Sequence, residues 1–177
     1  IALLNEDNQN EKIRAYINQL MQSSDLLEFS KICDHKILNN ILCRYKKVCN
    51  DLHIAFHADI RSNTTTFLSD SDVTSLFCNM LDNAVEASNH IKDSYIEITA
   101  AQRKHTPFVI ITIINSCAGN PFSPNGELVS SKQNPQAHGF GIKSMEKIIH
   151  NYNGNIQMYY DEETSTFHTI IMLKKKQ

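Results

Sequence analysis

Residues Ser71 to Ile91, SDVTSLFCNMLDNAVEASNHI, narrow the choice of fold more than any other part of the chain. Val73, Leu76, Phe77, Met80, Leu81, Ala84, Val85 and Ile91 recur at helical spacing and predict one buried helix face. Ser71 and Asp72, just ahead of that apolar period, predict the N-terminal cap. Asn79, Asp82, Asn83 and Glu86 fall on the other side, within about one third of the circumference. A solvated face accounts for the two acids. The two asparagines one turn apart need a further reason, because Asn is a mediocre interior helix former. Paired amide oxygens suit a hard cation such as Mg²⁺, which takes a few protein oxygens and completes its shell with phosphate oxygens.

The surroundings of that helix bound the rest. A chain of 177 residues holds one well-buried domain with room for a helical appendage. Its 41% hydrophobic and 20% charged content is that of an ordinary globular protein, and a net charge of −2 carries no basic excess for direct nucleic-acid binding. No apolar run reaches the roughly 20 residues of a membrane span. Cys33, Cys43, Cys49, Cys78 and Cys117 are odd in number and form no C-x-x-C pair, which argues against a zinc site or disulfide framework and favours a reducing, cytoplasmic setting.

Taken in order, Ile1 to about Asn8 and about Glu11 to Ser23 predict two short helices with a polar break, an antiparallel hairpin in outline. The chain starts in what reads as mid-helix and is expected to be a fragment of something longer. A third helix is expected over about Cys33 to Asp51, with Ile37, Leu38, Ile41, Leu42, Tyr45 and Val48 on its apolar face. Strands are expected at His53 to Ile60, Tyr95 to Ala101, Phe108 to Ile114, Asn155 to Tyr160 and Phe167 to Leu173. A helix from about Ile142 to Tyr152 is closed by Asn153-Gly154. This order predicts an α+β two-layer sandwich, a mixed sheet with helices on one face.

Between the third and fourth strands lies SCAGNPFSPNGELVSSKQNPQA, Ser116 to Ala137, rich in Gly, Pro, Ser and Asn. Loops this long inside a compact domain are usually functional or mobile, and this one is expected to act as a mobile lid. It runs into His138-Gly139-Phe140-Gly141-Ile142, where a helix begins. Glycines there serve a tight turn equally well, while free N–H groups and the positive dipole end of a helix also suit phosphates.

These two segments carry a family resemblance. Asn79-Met-Leu-Asp-Asn83-Ala-Val-Glu-Ala87 resembles the N-box of the GHKL, or Bergerat-fold, ATPases, and His138-Gly-Phe-Gly-Ile-Lys143 resembles their second glycine box. The form D-N-A-x-E-A, with Ser131-Lys132 ahead of His138-Gly139-Phe140-Gly141, is most similar to sensor histidine kinases that act as peptide-quorum-sensing receptors. The resemblance covers about residues 31 to 177 and implies an ATP-binding catalytic domain there, with residues 1 to 30 as a remnant of the dimerisation hairpin and linker.

By that resemblance Asn83 coordinates Mg²⁺ between the ATP phosphates and Asn79 provides the second amide near the metal. Gly139 and Gly141 let backbone approach the triphosphate, flanked by Phe140 and Ile142. Lys132 reaches phosphate from the lid, and His138 fixes its hinge or contacts phosphate. Asn115 stands where the family places the aspartate that receives the adenine amino group, and Glu86 stands where many histidine kinases have a lysine near the phosphates. Hydrolysing members carry a glutamate as general base where this chain has Asn79, which cannot take a proton at neutral pH. That favours transfer to a protein histidine over hydrolysis. None of the eight histidines lies on a hairpin helix, so the phosphoacceptor is expected to be missing from this stretch.

The resemblance further implies a response regulator as partner, a homodimer formed through the hairpin of the full-length protein, and a cytoplasmic position in a cell-membrane protein anchored by a missing N-terminal region. Two alternatives stand beside it. One is another GHKL enzyme, such as an anti-sigma-factor serine kinase. The other is a fold that no longer binds ATP and acts as an interaction module, for which Glu86 and the single glycine of Asn115-Ser-Cys-Ala-Gly119 speak.

Overall fold

The computed structural model describes residues 31–126, 128 and 140–175. The hairpin expected at residues 1 to 30 lies outside them, as do Lys132, His138, Gly139 and most of the expected lid. The described residues form α1 (Lys36–Asp51), β1 (Ala55–Ile60), α2 (Asp70–Ser88), β2 (Tyr95–Gln102), β3 (Phe108–Ser116), α3 (Phe140–Asn151), β4 (Asn155–Asp161) and β5 (Thr166–Lys174). The strands make one mixed sheet in the order β1-β2-β3-β5-β4. β1 and β2 run parallel, with Ala55 opposite Tyr95, and the other pairs are antiparallel. A parallel pair needs a crossover, and α2 supplies it.

Strand alternation sets the layers. Ile96, Ile98, Ala100, Val109, Ile111, Ile113, Ile171 and Leu173 are buried and meet Leu38, Ile41, Leu42, Leu76, Phe77, Met80, Leu81 and Met145 from the helices in one core. The α+β sandwich with helices on one face is therefore the observed architecture. β3 is the central strand, and its run of β-branched residues sits where an interior strand is wanted.

Local boundaries differ from expectation where a side chain found a tertiary partner. The cap of α2 is Ser69, not Ser71 or Asp72: Ser69 Oγ accepts the Asp72 N–H at 3.1 Å and donates to Asp72 Oδ2 at 2.7 Å. Tyr152, just past α3, completes the cap. Its hydroxyl donates to Asp72 Oδ2 at 2.7 Å and accepts the Ser69 N–H at 3.3 Å. Burial and the Asp72 carboxylate hold the Tyr152 phenol above its ordinary pKa. Ile91 lies beyond the end of α2 at Ser88 and does not join its face. α1 starts at Lys36, after the N-cap His35, and β1 starts at Ala55. Asn153, at φ 46°, and Gly154, whose N–H reaches Ile149 O at 2.9 Å, close α3 as expected.

Because Ser69 serves two helices through Tyr152, Ser69→Ala is expected to cost about 1–2 kcal/mol, the upper part of the range for a lost cap. Urea denaturation would show a lower midpoint at unchanged slope; a change under about 0.3 kcal/mol would mean that the cap is redundant.

Candidate nucleotide site

Helix α2 is the spine of the site. Asn79 is half-buried, and its Nδ2 donates to the Ser75 carbonyl at 2.7 Å. With the amide nitrogen turned back along its own helix, Oδ1 is left facing the start of α3. A Cβ placed on Gly141 would lie 2.9 Å from that oxygen. The bare backbone of Gly141 is thus what lets the first turn of α3 settle over the Asn79 amide. A second tie fixes the same contact: Ser75 Oγ and Ser144 Oγ are 3.1 Å apart. One turn on, Asn83 is exposed, with Glu86 exposed three residues later on the same side.

Asp82 does not belong to the same polar group as its neighbours. Its carboxylate accepts the Tyr45 hydroxyl at 2.6 Å, so it is spent on joining α1 to α2. Ile142 is half-buried against the core, and Phe140 opens α3. The first turn of α3 has no acidic residue, carries the exposed Lys143, and presents the free N–H groups of a helix start.

Asn115 lies at the far end of the same helix. It is 2% exposed and ends the buried stripe of β3. Its Cα partners are Ile96 on β2 and Phe167 on β5, and Phe122 stands 5.8 Å from Phe167 between ring centroids. Ser88, the last residue of α2, donates its hydroxyl to the Ser116 carbonyl at 3.1 Å, which seats the helix end against the strand end that carries Asn115. From Asn79 to Ser88 the helix rises roughly 13.5 Å, nine residues at 1.5 Å each. One rigid element therefore spaces an amide-and-glycine corner from a buried amide with aromatic neighbours.

The structure thus brings together Asn79, Gly141 and Ile142, with Asn83 and Glu86 on the adjoining turn and Asn115 a helix-length away. Ser75, Ser144 and Ser88 carry no site signal in the sequence, and Tyr45, expected only on an apolar helix face, uses its hydroxyl to bond Asp82. Ser75 was findable, being one turn ahead of Asn79; Ser88 and Ser116, 28 residues apart, had no local signal. Among the described residues no group of three His, Cys, Asp or Glu side chains is placed to hold a metal. The amide oxygens of Asn79 and Asn83 are hard donors of the kind Mg²⁺ accepts when phosphate supplies the remainder. Cys33 and Cys49 are pushed up to about 11 by burial, so they stay protonated and unreactive.

The profile of the family described as a GHKL domain matches residues 68–173. Comparison with the curated proteins gave no match. Among solved structures, the catalytic domain of histidine kinase ThkA superposes with a TM-score of 0.60 at 19% identity, covering 79% of this chain and 90% of that one. The histidine kinase domain of the blue-light activated kinase EL346 from Erythrobacter litoralis gives 0.62 at 11% identity, covering 93% and 74%. Full-length ShkA in complex with AMPPNP gives 0.60 at 13% identity, covering 83% of this chain and 31% of ShkA.

Proposed function

Because this chain belongs to the GHKL domain family, we propose that it is the ATP-binding catalytic domain of a sensor histidine kinase, donating the γ-phosphoryl group to a histidine elsewhere in the dimerisation helices. The observation that carries this reading is the pairing along α2 of Asn79 under Gly141 with the buried Asn115 at the other end. That spacing suits a nucleotide lying along the helix, base at Asn115 and phosphates at the start of α3. ShkA, a structural neighbour, was solved with an ATP analogue.

In this reading Asn83 and Asn79 would hold Mg²⁺ through their amide oxygens, and the ion would supply neutralisation of phosphate charge. Phe140, Gly141 and Ile142 stand at the helix start that would receive the phosphates, and Gly139, Lys132 and His138 are proposed to contribute further phosphate contacts. Glu86 is exposed near Asn83, and its carboxylate would repel a phosphate brought close to it. The chain's own work is positioning: Asn79 has no basic atom to activate water, so the acceptor must bring its own nucleophile, as a neutral imidazole does. Membership of the quorum-sensing branch, a response regulator as partner, homodimerisation through the hairpin and anchorage in the cell membrane with this part in the cytoplasm belong to the same proposal.

Isothermal titration of ATP with and without Mg²⁺, on the native chain and on Asn83→Ala, tests it. Metal-dependent binding that weakens more than about tenfold in the variant is expected for loss of a metal-ordering group. The interaction-module reading is favoured by the absence of a carboxylate at Asn115 and by the charge of Glu86. It predicts no binding even at millimolar nucleotide, and that result would overturn the kinase reading.

A further inference from the structure

The described helices cover one face of the sheet, and the other face carries an apolar strip of its own. Phe108, Ile110 and Ile114 on β3, with Ile170 and Met172 on β5, alternate with the core residues of those strands and are half-buried. Ile110 stands opposite Met172 and Thr112 opposite Ile170, whereas α1, α2 and α3 place their buried residues in the core on the other side. The strip is two strands wide, about 10 Å, and about 20 Å long from Phe108 to Ile114. Polar rails bound it. Glu97 and Thr99 on β2 flank one side, and Asn155, Gln157 and Tyr159 on β4 flank the other.

We propose that this strip is the seat of residues 11 to 23 of the same chain, docked as one amphipathic helix through Ile13, Tyr16, Ile17 and Leu20. The dimensions agree. A helix is about 10–12 Å across, and one over those residues is about 20 Å long. The sheet of a second copy fits poorly, because about 10 by 20 Å offers only ~200 Å², about a quarter of what a standard interface takes from each partner. The chain also enters at the right place. Lys31 pairs with Asp34 at 2.8 Å, Asp34 accepts the Ser62 hydroxyl at 2.7 Å, and the Arg61 N–H reaches Ala100 O at 2.9 Å, just past the end of β1. Ala100 stands opposite Ile111, and Ile111 opposite Ile171, so this entry is level with the Ile110–Met172 end of the strip. From the β1 edge the strip lies about 12 Å across the sheet, and the residues from 23 to 31 extend to about 26 Å, enough to round the edge.

The linker sets the direction. The end of the helix at Ser23 faces Ile110 and Met172, so its start faces Ile114. At that end Glu97 stands opposite Ile114, with His57 opposite Glu97 on β1. Lys12 and Arg14 fall about 100° to either side of Ile13, which brings one of the two bases to the rail that carries Glu97. The proposal does not depend on nucleotide binding. It competes with the hairpin dimer, because a stripe of four apolar residues covers one partner at a time. A chain seated this way keeps its own dimerisation surface out of use.

The test is photo-crosslinking of the full 177-residue chain with p-benzoyl-phenylalanine in place of Tyr16. Unlabelled and ¹⁵N-labelled chains are mixed at micromolar concentration before irradiation, and the joined peptides are identified by mass spectrometry. The expected products link position 16 to residues 108–114 or 168–174 within one isotopic label. Ile17→Asp should lower their yield about tenfold or more, since it sets a charge against the strip, and Ile17→Leu should stay within about twofold. Position 17 lies outside the described core, so neither change acts on the domain that presents the strip. Products joining the two labels, whether to residues 11–23 or to the sheet of a second copy, would overturn the proposal. So would products elsewhere on the same chain, a yield that Ile17→Asp leaves unchanged, or no product at all. Calorimetry with ATP judges the kinase reading separately, and neither result decides the other.

Discussion

Gly154→Ala is expected to destabilise the domain by about 3 kcal/mol, at the top of the range for overpacking. Gly154 links the end of α3 to β4, and its N–H is already committed to Ile149 O at 2.9 Å. An added methyl group would overlap the Met172 carbonyl oxygen and lie 2.9 Å from Leu173 Cδ2 and 3.0 Å from Ile149 Cγ2. The two side chains could turn aside, but the carbonyl cannot. It belongs to β5, where Met172 stands opposite both Ile110 and Asn155. Relief requires β4 to leave β5 or α3 to lose its closing bond. Urea unfolding should show a midpoint lowered at constant slope, and a loss below about 1 kcal/mol would mean that the connection is softer than its geometry implies.

Gly141→Ala should strike the site instead. Its methyl group would press on Asn79 Oδ1, 2.9 Å away, while Asn79 Nδ2 is anchored to Ser75 O at 2.7 Å. The amide can yield only by breaking that anchor or by lifting the first turn of α3, which also strains the Ser75–Ser144 contact. Either movement separates the amide from the helix start, so Mg-ATP affinity should fall about tenfold to a hundredfold, the range for losing a group that orients a metal ligand. Asn79→Ala removes the obstacle. In that background the same glycine change should cost little in stability, giving a coupling energy of about 1–3 kcal/mol in a double-mutant cycle. Simple additivity would show that Gly141 and Asn79 act separately.

These two glycines show how unevenly the sequence was informative. Asn153-Gly154 was legible as a helix stop, because capping is local chemistry. That Gly154 also abuts β5 was not, since Met172 is 18 residues away and meets it only through the β4–β5 pairing. Gly141 was legible through resemblance as a glycine beside phosphates. Its contact with Asn79 requires α3 to cross α2, which no spacing within either segment reveals. The cap of α2 lies two residues ahead of the expected Ser71 for the same reason. Ser69, Ser71 and Asp72 offer competing local chemistry, and the Tyr152 hydroxyl, arriving from beyond α3, decides among them.

By itself the sequence determined the element order, the apolar face of α2, the buried run of β3 and the amide-bearing turns at Asn79 and Asn83. All of these follow from periodicities of two and 3.6 residues and from short capping patterns. Tertiary structure alone decided which polar groups are spent on the fold and which keep an atom without a partner among the described residues. Asp82 went to Tyr45, whereas the Asn115 amide was divided, with its nitrogen bound to Ser116 and its oxygen left over. The physical reason is that a buried polar group takes whatever partner the packing delivers, and packing joins segments far apart in the chain.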